Sequence, residues 1–138
     1  MKLTAYLTFN GNCRQAMKFY RECFGGELTF QLVGDVPASA QLPVDFKNLV
    51  LTATLLQDNL TLIATDLSGE QKLVNGNRVS LFVSCTSKKE IEGLYKKLSK
   101  NSRISHPVSL TYYNCLRGDI VDQFGNAWVL QYSKNEDN

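Results

Sequence analysis

The order of the predicted elements constrains the fold more than any other feature, because the same order occurs twice. Apolar alternation predicts a strand before Asn12, an apolar stripe at helical spacing predicts a helix after it, and three more alternating runs follow. The second half repeats this order, with a strand from Arg78 and a helix after Ser87. Element order therefore predicts an α+β fold of two βαβββ modules, about 1–67 and about 77–133, within a single domain of 138 residues.

Local signals predict where both helices begin and end. Asn12 is a candidate N-cap with Gln15 as its capping-box partner, and Ser87 with Glu90 forms a second capping box. A glycine pair directly after the first helix is expected to end it. Gly93 lies inside the second helix and weakens it by about 1 kcal/mol relative to alanine.

Each predicted module has one sheet face to cover and one face left open. A single helix covers the first face, and the alternating side chains of the other face must pack against something or surround it. Two such concave faces side by side would form a cleft, where small-molecule sites usually lie. The element order therefore predicts a small-molecule ligand in a cleft between the modules.

Composition and charge exclude several classes of function. The formal charge of +2, with 43% apolar and 20% charged residues, is ordinary for a globular protein and too weakly basic to predict nucleic-acid binding. No apolar run reaches the ~20 residues of a membrane-spanning helix, and the N-terminal residues lack a signal-peptide core. The four cysteines form neither a CxxC pair nor a zinc-type cluster. These features predict a cytoplasmic protein with no nucleic-acid or membrane partner.

Two segments of the chain resemble PhnB-like proteins. The first is AYLTFNGNCRQAMKFYRECFGGEL near the N-terminus, and the second is YYNCLRGDIVDQFGNAW. The positions of the second segment that match the family pattern are Tyr112, Tyr113, Gly118, Asp122, Phe124, Gly125 and Trp128. The resemblance implies membership of the vicinal oxygen chelate superfamily, with the glyoxalases, bleomycin-resistance proteins and extradiol dioxygenases. It also implies paired βαβββ modules and a homodimer.

For the enzymes of that superfamily, the resemblance implies a divalent metal ion that is held by His, Gln and Glu side chains on the strands. The matching positions in this chain fall near Ala5, near Leu62 or Ala64, on Arg78 and on Val129. None of these side chains can ligate a metal. Thr52 stands where PhnB-like sequences often carry a histidine, and the single histidine, His106, lies elsewhere. We therefore predict no metal and no other cofactor.

Polar and aromatic side chains remain for the predicted cleft. The candidate ligand-binding residues are Tyr6, Thr8, Thr52, Arg78, Ser80, Tyr112, Tyr113 and Trp128. Alternation adds Thr54 and Phe82 to the faces that hold these side chains. Arg78 would attract a carboxylate or another anion, or else form a surface salt bridge. The tyrosine pair is either a ligand-contacting wall or part of core and dimer packing, and the tryptophan is either a ligand platform or a core residue.

Other reactive residue types have simpler interpretations. Arg117 and Asp119 share a strand face and are predicted to pair, and Asp122 is predicted to fix a turn by accepting backbone amides. Cys115 is the best of a weak set of nucleophiles, and one histidine without a nucleophile-elbow motif predicts no Ser–His–Asp arrangement. Catalytic residues therefore stay unassigned.

The leading hypothesis is a PhnB-like homodimer with a metal-free cleft that binds a small, partly apolar molecule, as bleomycin-resistance-like relatives do by sequestration. Two alternatives stay open. One is a metal-dependent lyase or dioxygenase of the same superfamily. The other is a dimeric interaction module whose cleft is closed by large side chains.

Overall fold

The computed structural model describes residues 1–69 and 72–134, which form two compact units, here called module one (up to Val74) and module two (from Asn75). Module one contains β1 (Ala5–Thr8), α1 (Cys13–Phe24), β2 (Glu27–Leu32), a short α2 (Val44–Lys47), β3 (Val50–Gln57) and β4 (Leu60–Thr65). Module two contains β5 (Leu81–Ser84), α3 (Lys88–Leu98), β6 (Ile104–Leu110), β7 (Leu116–Val121) and β8 (Ala127–Tyr132). Apart from the additional α2, each module has the predicted βαβββ order, so the α+β prediction is confirmed.

Both modules arrange their strands in the same way. The strand order is β1-β4-β3-β2 in the sheet of module one (sheet one) and β5-β8-β7-β6 in the sheet of module two (sheet two). The first strand of each module is parallel to the last, and the other neighbouring strands are antiparallel. The duplication of element order is therefore also a duplication of sheet topology. No helix among the described residues is long and apolar enough to cross a bilayer.

The main helix of each module covers one face of its sheet. In module one, Met17 and Tyr20 of α1 and Leu55 of β3 are completely buried. In module two, Ile91 of α3 and Leu130 of β8 are completely buried in the same way. These apolar contacts form the core of each module and leave the opposite face of each sheet uncovered by its own helix.

We call this opposite face the open face of sheet one or of sheet two. Because side chains alternate along a strand and directly paired residues share a face, the register assigns its members. The open face of sheet one includes Tyr6, Thr8, Thr29, Gln31, Thr52, Thr54 and Ile63. The open face of sheet two includes Phe82, Ser84, His106, Ser109, Arg117, Asp119, Val129 and Gln131.

The two predicted capping boxes have different outcomes. Asn12 precedes α1 as predicted, but its side chain makes no capping hydrogen bond. Instead, Asp66, at the end of β4, accepts the N–H of Cys13 at 2.9 Å. Ser87 does cap α3, because its hydroxyl accepts the N–H of Glu90 at 3.0 Å. The Glu90 carboxylate accepts the N–H of Thr86, the residue before the cap. At α1, a carboxylate from a distant part of the chain therefore takes the place of the predicted local cap.

Candidate functional site

Tyr6 belongs to a row of side chains that crosses the open face of sheet one. Its strand partner is Ile63, Ile63 is opposite Thr54, and Thr54 is opposite Thr29. Tyr6 is 62% exposed, so its ring is accessible from this face. The row combines a phenol ring, one aliphatic side chain and two threonine hydroxyl groups, and it contains no charge.

Thr8 and Thr52 lie in the adjacent row of the same open face. Thr8 pairs with Thr65, and Thr52 pairs with Gln31. The Thr65 hydroxyl is already used, because it donates to the Val50 carbonyl at 3.5 Å and accepts a backbone N–H at 3.0 Å. The structure thus places three predicted site residues, Tyr6, Thr8 and Thr52, on one hydroxyl-rich face.

Phe82 occupies on sheet two the place that Tyr6 occupies on sheet one. Each is the second residue of the first strand of its module, and Phe82 is 57% exposed. Phe82 pairs with Val129, Val129 is opposite Asp119, and Asp119 is opposite His106. The two rows are therefore alike at their aromatic ends and differ at the far end, where the row of sheet two carries Asp119 and His106.

Arg117 and Asp119 pair on the open face of sheet two, as predicted. The Nε atom of Arg117 lies 2.9 Å from Oδ1 of Asp119, and Nη2 lies 3.5 Å from Oδ2. The Tyr113 hydroxyl lies 3.5 Å from Nη1. Hydrogen bonds to Asp119 first and to Tyr113 second raise the pKa of Arg117, so its guanidinium stays a cation. The contacts with Asp119 orient that cation on the open face.

Tyr112 and Tyr113 lie in the turn between β6 and β7, with ring centroids 5.0 Å apart and nearly perpendicular planes. Thr111 closes this turn, because its hydroxyl donates to the Cys115 carbonyl at 2.9 Å and accepts the Cys115 N–H at 3.1 Å. Tyr113 reaches the Arg117 side chain, whereas Tyr112 is 99% exposed. Of the two predicted residues, Tyr113 is the one that joins the open face of sheet two.

Arg78 and Ser80 precede the strand that was predicted to contain them. β5 begins at Leu81, because its pairing with β8 begins where Leu81 is opposite Trp128. Both residues are exposed, and Arg78 forms no ion pair with any described residue. The cation that the structure fixes on a sheet face is Arg117, not Arg78.

Trp128 lies on the helix-covered face of sheet two and is 2% exposed. Its indole N–H donates to Oδ2 of the fully buried Asp122 at 2.8 Å. Oδ1 of Asp122 accepts the N–H groups of Phe124 at 2.9 Å and Asn126 at 3.0 Å, so this carboxylate fixes the turn before β8, as predicted. Trp128 links that turn to the core, and its ring is not accessible from the open face.

The register corrects the positions at which a metal ligand would be sought. Ala5, Leu62 and Ala64 fall in rows that include fully buried core residues, so they lie on the helix-covered face. Arg78 lies outside β5. Of the positions expected from the family resemblance, Val129 and Thr52 lie on an open face.

The open-face counterparts of those positions do not fit a divalent cation. Val129 pairs with Phe82, and the equivalent pair in module one is Ile63 with Tyr6. None of these four side chains supplies a carboxylate, imidazole or thiolate. Across residues 1–69 and 72–134, no three His, Cys, Asp or Glu side chains are grouped so that they could hold a metal ion. We assign no metal ligands.

The described cysteines are buried free thiols. Burial, assisted by the charge of Asp66, raises the pKa of Cys13 to about 12, and burial likewise raises the pKa of Cys85 to about 11. A nucleophilic cysteine requires the opposite shift, toward the thiolate at neutral pH. Cys13 and Cys85 therefore lack the lowered pKa that a nucleophilic cysteine requires.

A polar cavity of about 580 Å³ lies beside the first turns of α1, and sequence analysis did not anticipate it. Its wall includes Arg14, Lys18, Asp45, Asn48 and Asp66. None of the predicted site residues lines it. The segments that form this wall are distant in the chain and share no motif, so no local pattern could have predicted the cavity.

Comparison with known proteins places the chain in a family. A family model described as 3-demethylubiquinone-9 3-methyltransferase matches residues 1–131. The crystal structure of protein PA1353 from Pseudomonas aeruginosa is similar, with a TM-score of 0.83 and 29% identity over 96% of this chain and 98% of that one. A PhnB protein from Bacillus cereus has a TM-score of 0.75 and 21% identity, over 96% and 100% of the two chains.

A more distant likeness extends to the glyoxalases. A glyoxalase-related enzyme from Fulvimarina pelagi has a TM-score of 0.62 and 15% identity, over 96% of this chain and 89% of that one. At this identity the likeness concerns the fold alone. The family model, which matches almost the whole chain, shows that this chain belongs to the PhnB-like family described as 3-demethylubiquinone-9 3-methyltransferase.

Proposed function

We propose that this protein binds a small, partly apolar molecule on the open faces of its sheets, without a metal ion. The observation that carries the proposal is the row formed by Tyr6, Ile63 and Thr54, in which an accessible aromatic ring stands beside an aliphatic side chain and a hydroxyl. Small-molecule sites are typically built in this way, with apolar and aromatic walls and a few polar groups that fix orientation.

Sheet one supports the proposal through its threonines. Thr8, Thr52 and Thr54 each present a methyl group and a hydroxyl on the open face. The methyl groups extend the apolar surface around Tyr6, and each hydroxyl can donate or accept a hydrogen bond. Such a face suits a ligand with an apolar body and a small number of polar atoms.

Sheet two supports the proposal through Phe82. A phenylalanine has no polar group to hydrate, yet this ring is 57% exposed on a strand beside Val129. Exposed apolar side chains at equivalent places in both modules are typical of a surface that contacts another molecule. Burying such a ring against a ligand would contribute roughly 1.5–3 kcal/mol.

The side-chain chemistry supports binding rather than turnover. On the strands that carry metal ligands in the enzymes of the superfamily, the open-face side chains here are Tyr6, Ile63, Phe82 and Val129. The raised pKa of the buried Cys13 does not suit a nucleophile. Sequestration requires no reacting group in the protein. We therefore propose a binding function and do not take methyl transfer from the description of the family.

A ligand screen by thermal shift tests the proposal. A compound that binds only the native state stabilises it by RT ln(1 + [L]/Kd), so hits among small aromatic and aliphatic compounds raise the unfolding midpoint. We expect Tyr6→Ala or Phe82→Ala to weaken the binding of such hits about tenfold. Phe46→Ala is the matched control, because Phe46 is a 50% exposed phenylalanine on α2. Equal losses in all three variants would refute the assignment to the open faces.

Metal analysis tests the other half of the proposal. We expect purified protein to contain less than stoichiometric zinc, nickel, iron or manganese, and a chelator to leave its thermal midpoint unchanged. One equivalent of tightly held metal would overturn metal-free binding and favour a lyase or dioxygenase.

A cytoplasmic homodimer, which the sequence and the family resemblance predicted, stays part of the proposal. The exposed Leu110 and Tyr112 at the end of sheet two support a further contact surface. Light scattering coupled to size-exclusion chromatography measures the mass directly, and a mass near the 15.5 kDa of one chain would refute the dimer.

A further inference from the structure

We propose that Arg117 binds the carboxylate of a ligand on the open face of sheet two, which makes the ligand class a carboxylic acid with an apolar body. This inference rests on the proposed binding function and adds the chemistry of the polar group. The juxtaposition that carries it is a fixed guanidinium on the same open face as the accessible ring of Phe82.

Arg117 is held in place by contacts that leave part of its guanidinium free. A guanidinium has five N–H donors. Among the described residues, Asp119 takes one from Nε and one from Nη2, and the Tyr113 hydroxyl takes one from Nη1. Two donors remain, one on each terminal nitrogen. That pair matches the two oxygens of a carboxylate, which arginine binds through parallel hydrogen bonds.

Orientation by Asp119 makes this arginine different from an ordinary surface arginine. The Arg117 and Asp119 side chains are each 39% exposed, whereas the Lys88–Glu92 pair on α3 is 69% and 55% exposed. A side chain that is already ordered loses less conformational entropy when it binds a ligand. Asp119 is therefore a positioning residue, and Arg117 is the group that contacts the ligand.

The strand register supplies the apolar half of the site. Val129 is directly opposite Asp119 on one side and Phe82 on the other, and it is diagonal to Arg117. Diagonal neighbours on adjacent strands lie within reach of long side chains. Gln131, directly opposite Arg117, adds an amide beside the guanidinium. An acid bound at Arg117 would therefore place its apolar body over Val129 and toward Phe82.

Matched pairs of acids and amides test the inference. The probes are phenylacetate with phenylacetamide and octanoate with octanamide, titrated into the full chain and followed by amide chemical shifts and by thermal shift. We expect each acid to bind at least about tenfold more tightly than its amide. Arg117→Met should remove that preference, and Arg117→Lys should recover only part of it, because lysine keeps the charge but lacks the paired donors.

Controls separate this inference from the proposed function. Arg21→Met, on the exposed surface of α1, should keep the acid preference. Asp119→Asn should reduce the preference for acids and leave amide binding unchanged, which a merely structural role would not do. If each acid binds no more tightly than its amide, the carboxylate inference is wrong and the proposed binding function is not affected. The same conclusion follows if Arg78→Met removes the preference for acids and Arg117→Met does not. Absence of any shift at open-face residues with all four probes overturns the binding function, and this inference with it.

Discussion

The carboxylate of Asp66 accepts the backbone N–H of Cys13 at 2.9 Å, although 53 positions separate the two residues in the chain. The same oxygen accepts the N–H of Gly11 at 2.9 Å, and the other oxygen accepts the N–H of Val50 at 3.0 Å. One carboxylate at the end of β4 therefore ties together the start of α1 and the start of β3. A negative charge at the N-terminus of α1 also interacts favourably with the helix dipole.

Replacing Asp66 by alanine should be among the most damaging changes in module one. The buried N–H groups of Cys13 and Val50 would lose their acceptor, and unsatisfied buried donors cost about 1–3 kcal/mol each. We expect the free energy of unfolding to fall by about 2–4 kcal/mol in urea denaturation. Asp45→Ala, which removes an exposed carboxylate from α2, should change it by less than about 0.5 kcal/mol. Similar effects in the two variants would contradict the capping role.

The same environment predicts how stability depends on pH. Burial and Asp66 raise the pKa of Cys13 from 9.0 to about 12, so in alkaline solution the folded chain keeps a proton that the unfolded chain loses. This contribution is fully present below pH 9 and is lost as the pH rises from 9 toward 12. We expect urea midpoints of the wild type to fall more steeply between pH 8 and pH 10.5 than those of Cys13→Ala. Parallel pH profiles would show that the thiol is not desolvated as described.

Two glycines should respond to alanine in opposite directions. Gly93 lies in α3 with open space around the position of a Cβ, so Gly93→Ala should stabilise the protein by up to about 1 kcal/mol through helix propensity. Gly26 has a φ of +100°, and a Cβ there would collide with the Leu56 carbonyl oxygen. Gly26→Ala should therefore destabilise by about 2 kcal/mol or more. Thermal midpoints measured side by side test both signs.

Local periodicity was sufficient to predict the fold, because each step depended on residues close in the chain. The alternation in β1 and the cap at Ser87 are local patterns, and element order then revealed the duplication. The local pattern predicts Asn12 as the acceptor at the start of α1, and this prediction is wrong, because the acceptor is Asp66 from the far end of the module. No pattern within one turn of a helix could indicate that contact.

The candidate site was only partly predictable, because strand register decides which face a residue occupies. Alternation within a single strand is enough to predict that Tyr6 and Thr8 share a face, and the register confirms it. The sequence pattern predicts a strand from Arg78, but β5 begins three residues later, at Leu81, where pairing with β8 starts. The sequence does not indicate Ile63 as a site residue, because its place beside Tyr6 depends on pairing between β1 and β4.

Trp128 should act on stability and not on ligand binding. Trp128→Phe keeps an aromatic ring in the core but removes the indole N–H that donates to Asp122 at 2.8 Å, and it leaves that buried carboxylate with one fewer donor. We expect the free energy of unfolding to fall by about 1–3 kcal/mol. The affinity for any compound found in the thermal-shift screen should stay within about twofold of wild type. A selective loss of affinity at unchanged stability would place the indole at the ligand instead.

The Arg117–Asp119 pair should contribute little to stability, although its geometry is good. Both side chains are 39% exposed, and ion pairs of this kind contribute about 0–1 kcal/mol. In a double-mutant cycle of Arg117→Met and Asp119→Asn, we expect a coupling energy below about 1 kcal/mol, decreasing further in 0.5 M salt. A coupling of several kcal/mol would mean that the pair exists to hold β7 in place. A small coupling, together with a lost preference for acids in the same variants, would mean that Asp119 orients Arg117 for a ligand.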